Sequence, residues 1–231
     1  MAKTIAALIR HGDYQQLLNT PSAHQPFPLT EKGFAQAHAL ALLIKEQGAR
    51  LNCQINPVIA CSRLLRAWQT ADTLAQSLNS SEYSVQEYSD LAERSVGSAA
   101  NLSIQQITDI VQQDPRFNGL PKGWKSDSHF CLPFQGAESL LDAGWRVATL
   151  LRAEMQVLQQ QSQTDQIKIF VGHGAAFRHA AYYLGLLQYE QIAQLSMFHC
   201  QPIFIEYQNE NSWKPIAGAW KERSAHSQFT D

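Results

Sequence analysis

Long hydrophobic runs are missing from this sequence. Nothing in it approaches the roughly 18 consecutive apolar residues that a bilayer-spanning helix needs. The first apolar run, residues 5–9, ends at Arg10, too early for a secretory leader. An excess of charge of either sign is missing too. A formal charge of −2 and a pI near 6.4 leave no general attraction for nucleic acid or an anionic membrane. Any positive potential must be local and built from a few arginines. The four cysteines, Cys53, Cys61, Cys131 and Cys200, lack the paired spacing of a zinc or redox site. They read as scattered reduced thiols, and the expected compartment is the cytoplasm. The eight histidines form no spaced ligand set, so no metal and no cofactor are expected.

What the sequence does hold is an alternation of strand-like and helix-like segments. TIAALI (4–9), PVIACS (57–62), IKIFVG (167–172) and PIFIEYQ (202–208) read as strands, with YSVQEYS (83–89) and WKPIAG (213–218) as weaker ones. Thr30 is the expected N-cap of a first helix that Gly48 should stop. Further helices are expected over 63–78, 101–114, 136–161 and 175–186, and an irregular, proline- and aromatic-rich insertion over about 114–135. Such alternation predicts a three-layer α/β/α sandwich around a mostly parallel sheet, one domain over 1–218 with a mobile tail over 219–231.

Two of these strands end on His-Gly: Arg10-His11-Gly12 and Gly172-His173-Gly174. Open α/β sheets bind ligands at the carboxyl ends of their strands, so adjacent strands would bring His11 and His173 to one pocket. Arginine suits a phosphoryl group because its guanidinium matches the oxygens in a fork and never deprotonates. Glycine lets backbone N–H groups reach the same anion. A neutral imidazole can attack phosphorus, and a second histidine, if protonated, can stabilise the charge that develops. The plainer reading of one RHG tripeptide is a histidine that merely caps a strand.

The ordered set RHGD, LTEKGFAQA, CSRLLRAWQTA, LAER, GAES and GHGAAFRHA goes beyond that plainer reading. Over about residues 4–208 it resembles the histidine phosphatase superfamily, in the branch of cofactor-dependent phosphoglycerate mutases and fructose-2,6-bisphosphatase-like enzymes. The resemblance implies a phosphoglycerate mutase-like fold and a metal-independent phosphomonoesterase. It makes His11 the phosphorylated residue and Glu93 of LAER the proton donor. His173 becomes the second histidine, and Arg10 and Arg66 clamp the phosphoryl group with Gly12 and Gly174 beside them. Glu93 would protonate the leaving alkoxide and then activate water, and a neighbouring phosphoryl dianion should raise its pKa.

Other residues compete for roles. Arg63 shares a helix face with Arg66 and reads as a surface ion-pairing residue. Glu138 reads as a helix-capping carboxylate, with a supporting role at the pocket as the alternative. Asp13 is divided between substrate contact and loop cap. Arg178 and His179 read as packing residues, and His199 as structural. Trp124 is a possible substrate contact, although Phe117, Trp124, Phe130 and Phe134 can equally pack the insertion onto the body.

The sequence also departs from the mutases. Tyr14 and Leu17 stand where they carry serine and asparagine, and residues 95–107 contain no lysine or arginine. A phosphoglycerate carboxylate would need Arg116, Lys122 or Lys125 instead. Hydrolysis of a small phosphorylated metabolite or a phosphoprotein is therefore expected ahead of mutase chemistry. A phospholigand-binding module without turnover is the alternative from outside enzymes.

Overall fold

Every residue of the first strand, β1 (Thr4–Arg10), is buried, as a parallel strand with helices on both faces should be. The computed structural model describes residues 2–79 and 81–223. After β1 come α1 (Glu31–Leu51), β2 (Gln54–Ile55), β3 (Val58–Ser62), α2 (Leu65–Asn79), β4 (Ser84–Tyr88), α3 (Ile104–Gln113) and α4 (Leu140–Gln161). Then follow β5 (Gln166–Gly172), α5 (Gly174–Tyr183), α6 (Tyr189–Ile192), β6 (Leu195–Ser196), β7 (Ile203–Asn209), β8 (Ser212–Ala217) and β9 (Lys221–Glu222). The main sheet runs β4-β3-β5-β1-β7-β8, with β2 also on β5. The first four of that order are mutually parallel, and β7 and β8 are antiparallel additions at one side. The expected α/β/α sandwich is the observed fold.

Alternation along β1 divides the core. Ile5, Ala7 and Ile9 pack with α1 and α2 residues such as Leu40, Ile44 and Leu74. Ala6 and Leu8 face the other way, onto Val147, Leu151 and Phe177 of α4 and α5. The helices of this second layer approach closely at Gly144, where a Cβ would lie 2.4 Å from the Cβ of His179. Gly144→Ala must therefore push α4 off α5. We expect a loss of about 1–3 kcal/mol, read as a lower urea midpoint at unchanged slope.

Local signals set most boundaries. Thr30 caps α1 by accepting from Gly33 N at 3.1 Å. The helix does not stop at Gly48, however. It runs on to Leu51 and ends at Asn52, whose φ of 53° gives the left-handed cap. Gly48 instead admits a close neighbour, since a Cβ there would sit 3.3 Å from Cys53 O. The α4 cap is Ser139, boxed with Asp142, so Glu138 is not the cap.

The 114–135 insertion is irregular apart from a 3₁₀ turn at Trp124–Ser126. It carries a small core of its own, in which Trp124 and Leu132 pack with Val96, Ala99 and Ile107, and Phe130 and Phe134 close its edge. Trp124 is 6% exposed and stacks edge-on with Phe130, so the structure gives it a packing place in that core. The start of the expected 219–231 tail is tied down. Lys221 and Glu222 pair with Leu195 and Ser196 because β6 offers them a strand edge; residues 224–231 lie outside the described residues. Among the described residues, no helix is long and apolar enough to cross a membrane.

Candidate active site

Strands β1 and β5 are neighbours in register, with Arg10 opposite Gly172. Both His-Gly pairs therefore leave the sheet side by side at its carboxyl edge. His11 and His173 are each 1% exposed, with ring centroids 5.0 Å apart. The nitrogen of His11 donates to Gly172 O at 3.0 Å. Its ring Nδ1 lies 2.7 Å from Gly12 O. A carbonyl can only accept, so Nδ1 carries the proton and Nε2 presents its lone pair. Burial, then the charge of Arg66, holds the His11 pKa well below 6.5. The imidazole is thus neutral with its nucleophilic nitrogen defined.

That nitrogen faces Arg66, whose Nε donates to His11 Nε2 at 3.1 Å. Arg66 is fully buried at the start of α2. Its Nη groups donate to the carbonyls of Ser22, Ala23 and Gln25 at 2.9–3.0 Å. The guanidinium also lies over the Tyr14 ring, 4.6 Å from its centroid. Most of its donors are occupied by the loop, while Nε is turned to His11 Nε2.

His173 caps α5 in extended conformation. Its Nε2 meets Ser62 Oγ at 2.9 Å, and Ser62 Oγ already accepts from Leu64 N at 3.2 Å. Ser62 Oγ keeps a second lone pair as well as its hydrogen, so it can serve either tautomer of His173. Nδ1 is buried and meets no hydrogen-bonding partner among the described residues. Burial and then Arg66 hold the His173 pKa well below 6.5. In the ligand-free protein His173 is neutral, not protonated as its charge-stabilising role would have it. Arg10 donates from Nη1 to Met197 O at 3.0 Å, and Gly174 lets its side chain pass, since a Cβ there would lie 3.2 Å from Arg10 Cδ.

Glu93 is 6% exposed and sits at the N-terminus of α5. Its carboxylate accepts from the nitrogens of Arg94 at 2.9 Å, Ala176 at 3.1 Å and Ala175 at 3.3 Å. Both carboxylate oxygens are thus engaged as acceptors. Its main-chain carbonyl is held by Arg146 Nη2 at 3.0 Å and His24 Nε2 at 2.9 Å. Glu138 grips that same Arg146 at 2.7 and 3.0 Å. So Glu138 supports Glu93 through Arg146, the alternative role, because Ser139 has taken the cap. Beside Glu93 is a cavity of about 10 Å³ bounded by Ala23, Arg94, Lys125, Leu140 and Ala175, about the space one water needs.

The structure gives Gly12 another partner and Asp13 the loop-capping place, one of its two expected roles. Gly12 N donates to Thr70 Oγ1 at 3.0 Å, so it is not directed at a phosphoryl oxygen. Gly12 is glycine because a Cβ would lie 2.6 Å from Gly33 O. The Asp13 carboxylate accepts from Thr30 Oγ1 at 2.7 Å, which ties the loop to the start of α1 and away from substrate. Arg63 pairs with Glu87 at 3.9 Å on the surface, as expected. Arg178 and His179 are buried packing residues of α5; Arg178 Nη1 donates to Leu195 O at 2.6 Å and His179 Nδ1 to Ala175 O at 2.8 Å. The structure also brings in Arg146 and the 22–25 loop, which no motif announces, gives Ser62 and Thr70 of the CSRLLRAWQTA run contacts of their own, and sets the His199 ring centroid 5.4 Å from that of His11. The 22–25 loop acts through main-chain carbonyls, which leave no mark on residue type.

Sequence and structure comparisons agree with the fold that carries this site. A phosphoglycerate mutase described as 2,3-bisphosphoglycerate-dependent, from Bartonella tribocorum, is 27% identical over 92% of this chain and 96% of its own. A second mutase of that description, from Gloeobacter violaceus, is 24% identical over 92% of this chain and 90% of its own. Among solved structures, a mycobacterial glucosyl-3-phosphoglycerate phosphatase superposes with a TM-score of 0.67 at 20% identity, covering 92% of this chain and 97% of its own. The alpha-ribazole phosphatase from Shigella flexneri gives 0.68 at 19%, covering 92% and 94%; at such identities the likeness is one of fold. The sequence model of the histidine phosphatase superfamily (branch 1) matches residues 6–215, and the chain belongs to that superfamily.

Proposed function

We propose that the protein hydrolyses a small phosphomonoester through a phosphohistidine on His11. The observation that carries the reading is the fixed tautomer of a neutral His11, with Nδ1–H on Gly12 O and the Nε2 lone pair directed at the Arg66 guanidinium. Phosphorus takes that lone pair as the ester bond breaks. Arg66 Nε then turns from Nε2 to a phosphoryl oxygen, and His173 and Arg10 supply further donors. Glu93 gives its proton to the departing oxygen, removes one from water, and that water cleaves the N–P bond to regenerate His11. The water-sized space beside Glu93 supports the second step.

Hydrolysis is favoured over mutase chemistry because the cations a phosphoglycerate carboxylate needs are poorly placed. Residues 95–107 have none. Arg116 is exposed and paired with Asp114 at 2.5 Å. Lys125 does reach the Glu93 cavity, and the mutase relatives keep the second reading open. A small metabolite is favoured as substrate because the solved neighbours are named for glucosyl-3-phosphoglycerate and alpha-ribazole phosphate.

The test gives the purified protein p-nitrophenyl phosphate in excess chelator. In parallel it receives 3-phosphoglycerate with 2,3-bisphosphoglycerate. Phosphate release from the first, untouched by chelator and well above interconversion of the phosphoglycerates, is the expected result. Interconversion faster than phosphate release would reassign the protein as a mutase, and silence in both assays would favour a binding module.

A further inference from the structure

We propose that His199, acting with Thr70, is a positioning residue that fixes the nucleophile by clamping one peptide group, the one joining His11 to Gly12. The carbonyl of that peptide, His11 O, lies 2.6 Å from His199 Nδ1. Since a carbonyl only accepts, His199 is the donor. The N–H of the same peptide, on Gly12, donates to Thr70 Oγ1 at 3.0 Å, and Thr70 Oγ1 donates to Arg66 O at 2.7 Å. A peptide group is planar, so partners at both ends stop it rotating about the chain.

The next atom along explains why this matters. Gly12 O is the acceptor that holds the proton on His11 Nδ1. The peptide that carries Gly12 O is held at its far end, where Asp13 N donates to Gln36 Oε1 at 2.8 Å. Glycine tolerates a wide range of backbone angles, so the hold on the preceding peptide supplies the other constraint on where that carbonyl points. His199 and Thr70 supply the hold from opposite sides, one from the loop between β6 and β7 and one from α2. The loop is itself tied to the motif: Cys200 N donates to Arg10 O at 2.9 Å, and Met197 O accepts from Arg10 at 3.0 Å. Cys200 takes the left-handed conformation, φ 53°, to make that turn. Helix α2 therefore delivers Arg66 to the ring and Thr70 to the peptide beneath it, so nucleophile and clamp move together. His199 touches no reacting atom.

The activity arm rests on the phosphatase reading; a second arm does not. With p-nitrophenyl phosphate, His199→Phe, which cannot donate, is expected to lower kcat about 10- to 100-fold. KM should change little, because Arg66 and His173 are untouched. Asparagine carries an N–H at the same branch position, so His199→Asn should recover to within about fivefold of the parent. Thr70→Val should lose less in the His199→Phe background than alone, since both act on one peptide. Independently of turnover, ring ¹⁵N shifts should show His11 as one Nδ1–H tautomer in the parent and as a mixture in His199→Phe. A parent without turnover would end the phosphatase reading and leave the tautomer measurement to decide this one. An unchanged His11 tautomer in His199→Phe, or equal losses in the Phe and Asn variants, would overturn the clamp.

Discussion

His11→Ala should reduce kcat/KM for p-nitrophenyl phosphate by a factor on the order of 10⁴ to 10⁶, as expected when a covalent nucleophile is removed and only the binding groups remain. The site offers no obvious substitute. His173 has its Nε2 engaged by Ser62, and Glu93 is held by three main-chain N–H groups. Glu93→Gln should separate the two chemical steps. Nitrophenolate leaves without a proton, so phosphorylation of His11 proceeds, whereas the water attack that follows lacks its base and slows by about 10²- to 10⁴-fold. The signature is a burst of nitrophenol equal to the enzyme and an acid-labile label that His11→Ala abolishes. Steady turnover in His11→Ala would show that the nucleophile is elsewhere. The pH profile carries a related expectation. Burial and Arg66 keep His11 neutral well below pH 6.5, so kcat/KM should not fall through an ionisation near the ordinary histidine value.

Much of this site was legible from residue types because its chemistry is local to short motifs at strand ends. RHG and GHG mark where β1 and β5 leave the sheet, and the apolar runs before them could be nothing but buried strands. Adjacency of those strands was not legible; it depends on parallel pairing across a long crossover. Glu138 misled because a carboxylate beside a helix start suits both a cap and an ion pair, and only the geometry shows Ser139 taking the first role. Gly48 misled for a similar reason. Glycine ends helices through its left-handed freedom, yet here it admits Cys53 O and Asn52 makes the turn. Gly12 likewise serves the approach of Gly33, while its N–H belongs to Thr70. Trp124 could equally have faced a ligand or the insertion's own core, and burial decided for the core. Long-range main-chain contacts, such as the 22–25 carbonyls on Arg66, have no sequence signature at all.

Acid should unfold the ligand-free protein abruptly, for reasons built into the same pocket. His11 and His173 are held well below 6.5 by burial first and Arg66 second, and burial depresses His179 to about 3. In the unfolded chain all three return to about 6.5. Between the depressed folded values and 6.5 the unfolded state binds more protons than the native one, so stability rises with pH across that window. It is fully present above about pH 6.5 and is lost as pH falls below it. An imidazole neutral throughout the window contributes up to about 1.4 kcal/mol per pH unit, so His179 alone removes about 2 kcal/mol between pH 7 and pH 5, and His11 and His173 act in the same direction. Domains have only about 5–15 kcal/mol in total, and urea midpoints should fall over this range. His179→Gln removes one titrating group and should make the slope shallower. A bound oxyanion should protect further, since a phosphoryl-like dianion beside His173 Nδ1 favours the protonated ring and narrows the gap to the unfolded value. Vanadate should therefore shift the acid transition downward by more than its affinity alone accounts for, and binding should take up protons measurably at pH 6. A urea midpoint that stays flat from pH 7 to pH 5 would mean that these histidines are not held neutral, and the nucleophile's readiness near neutral pH would need another cause.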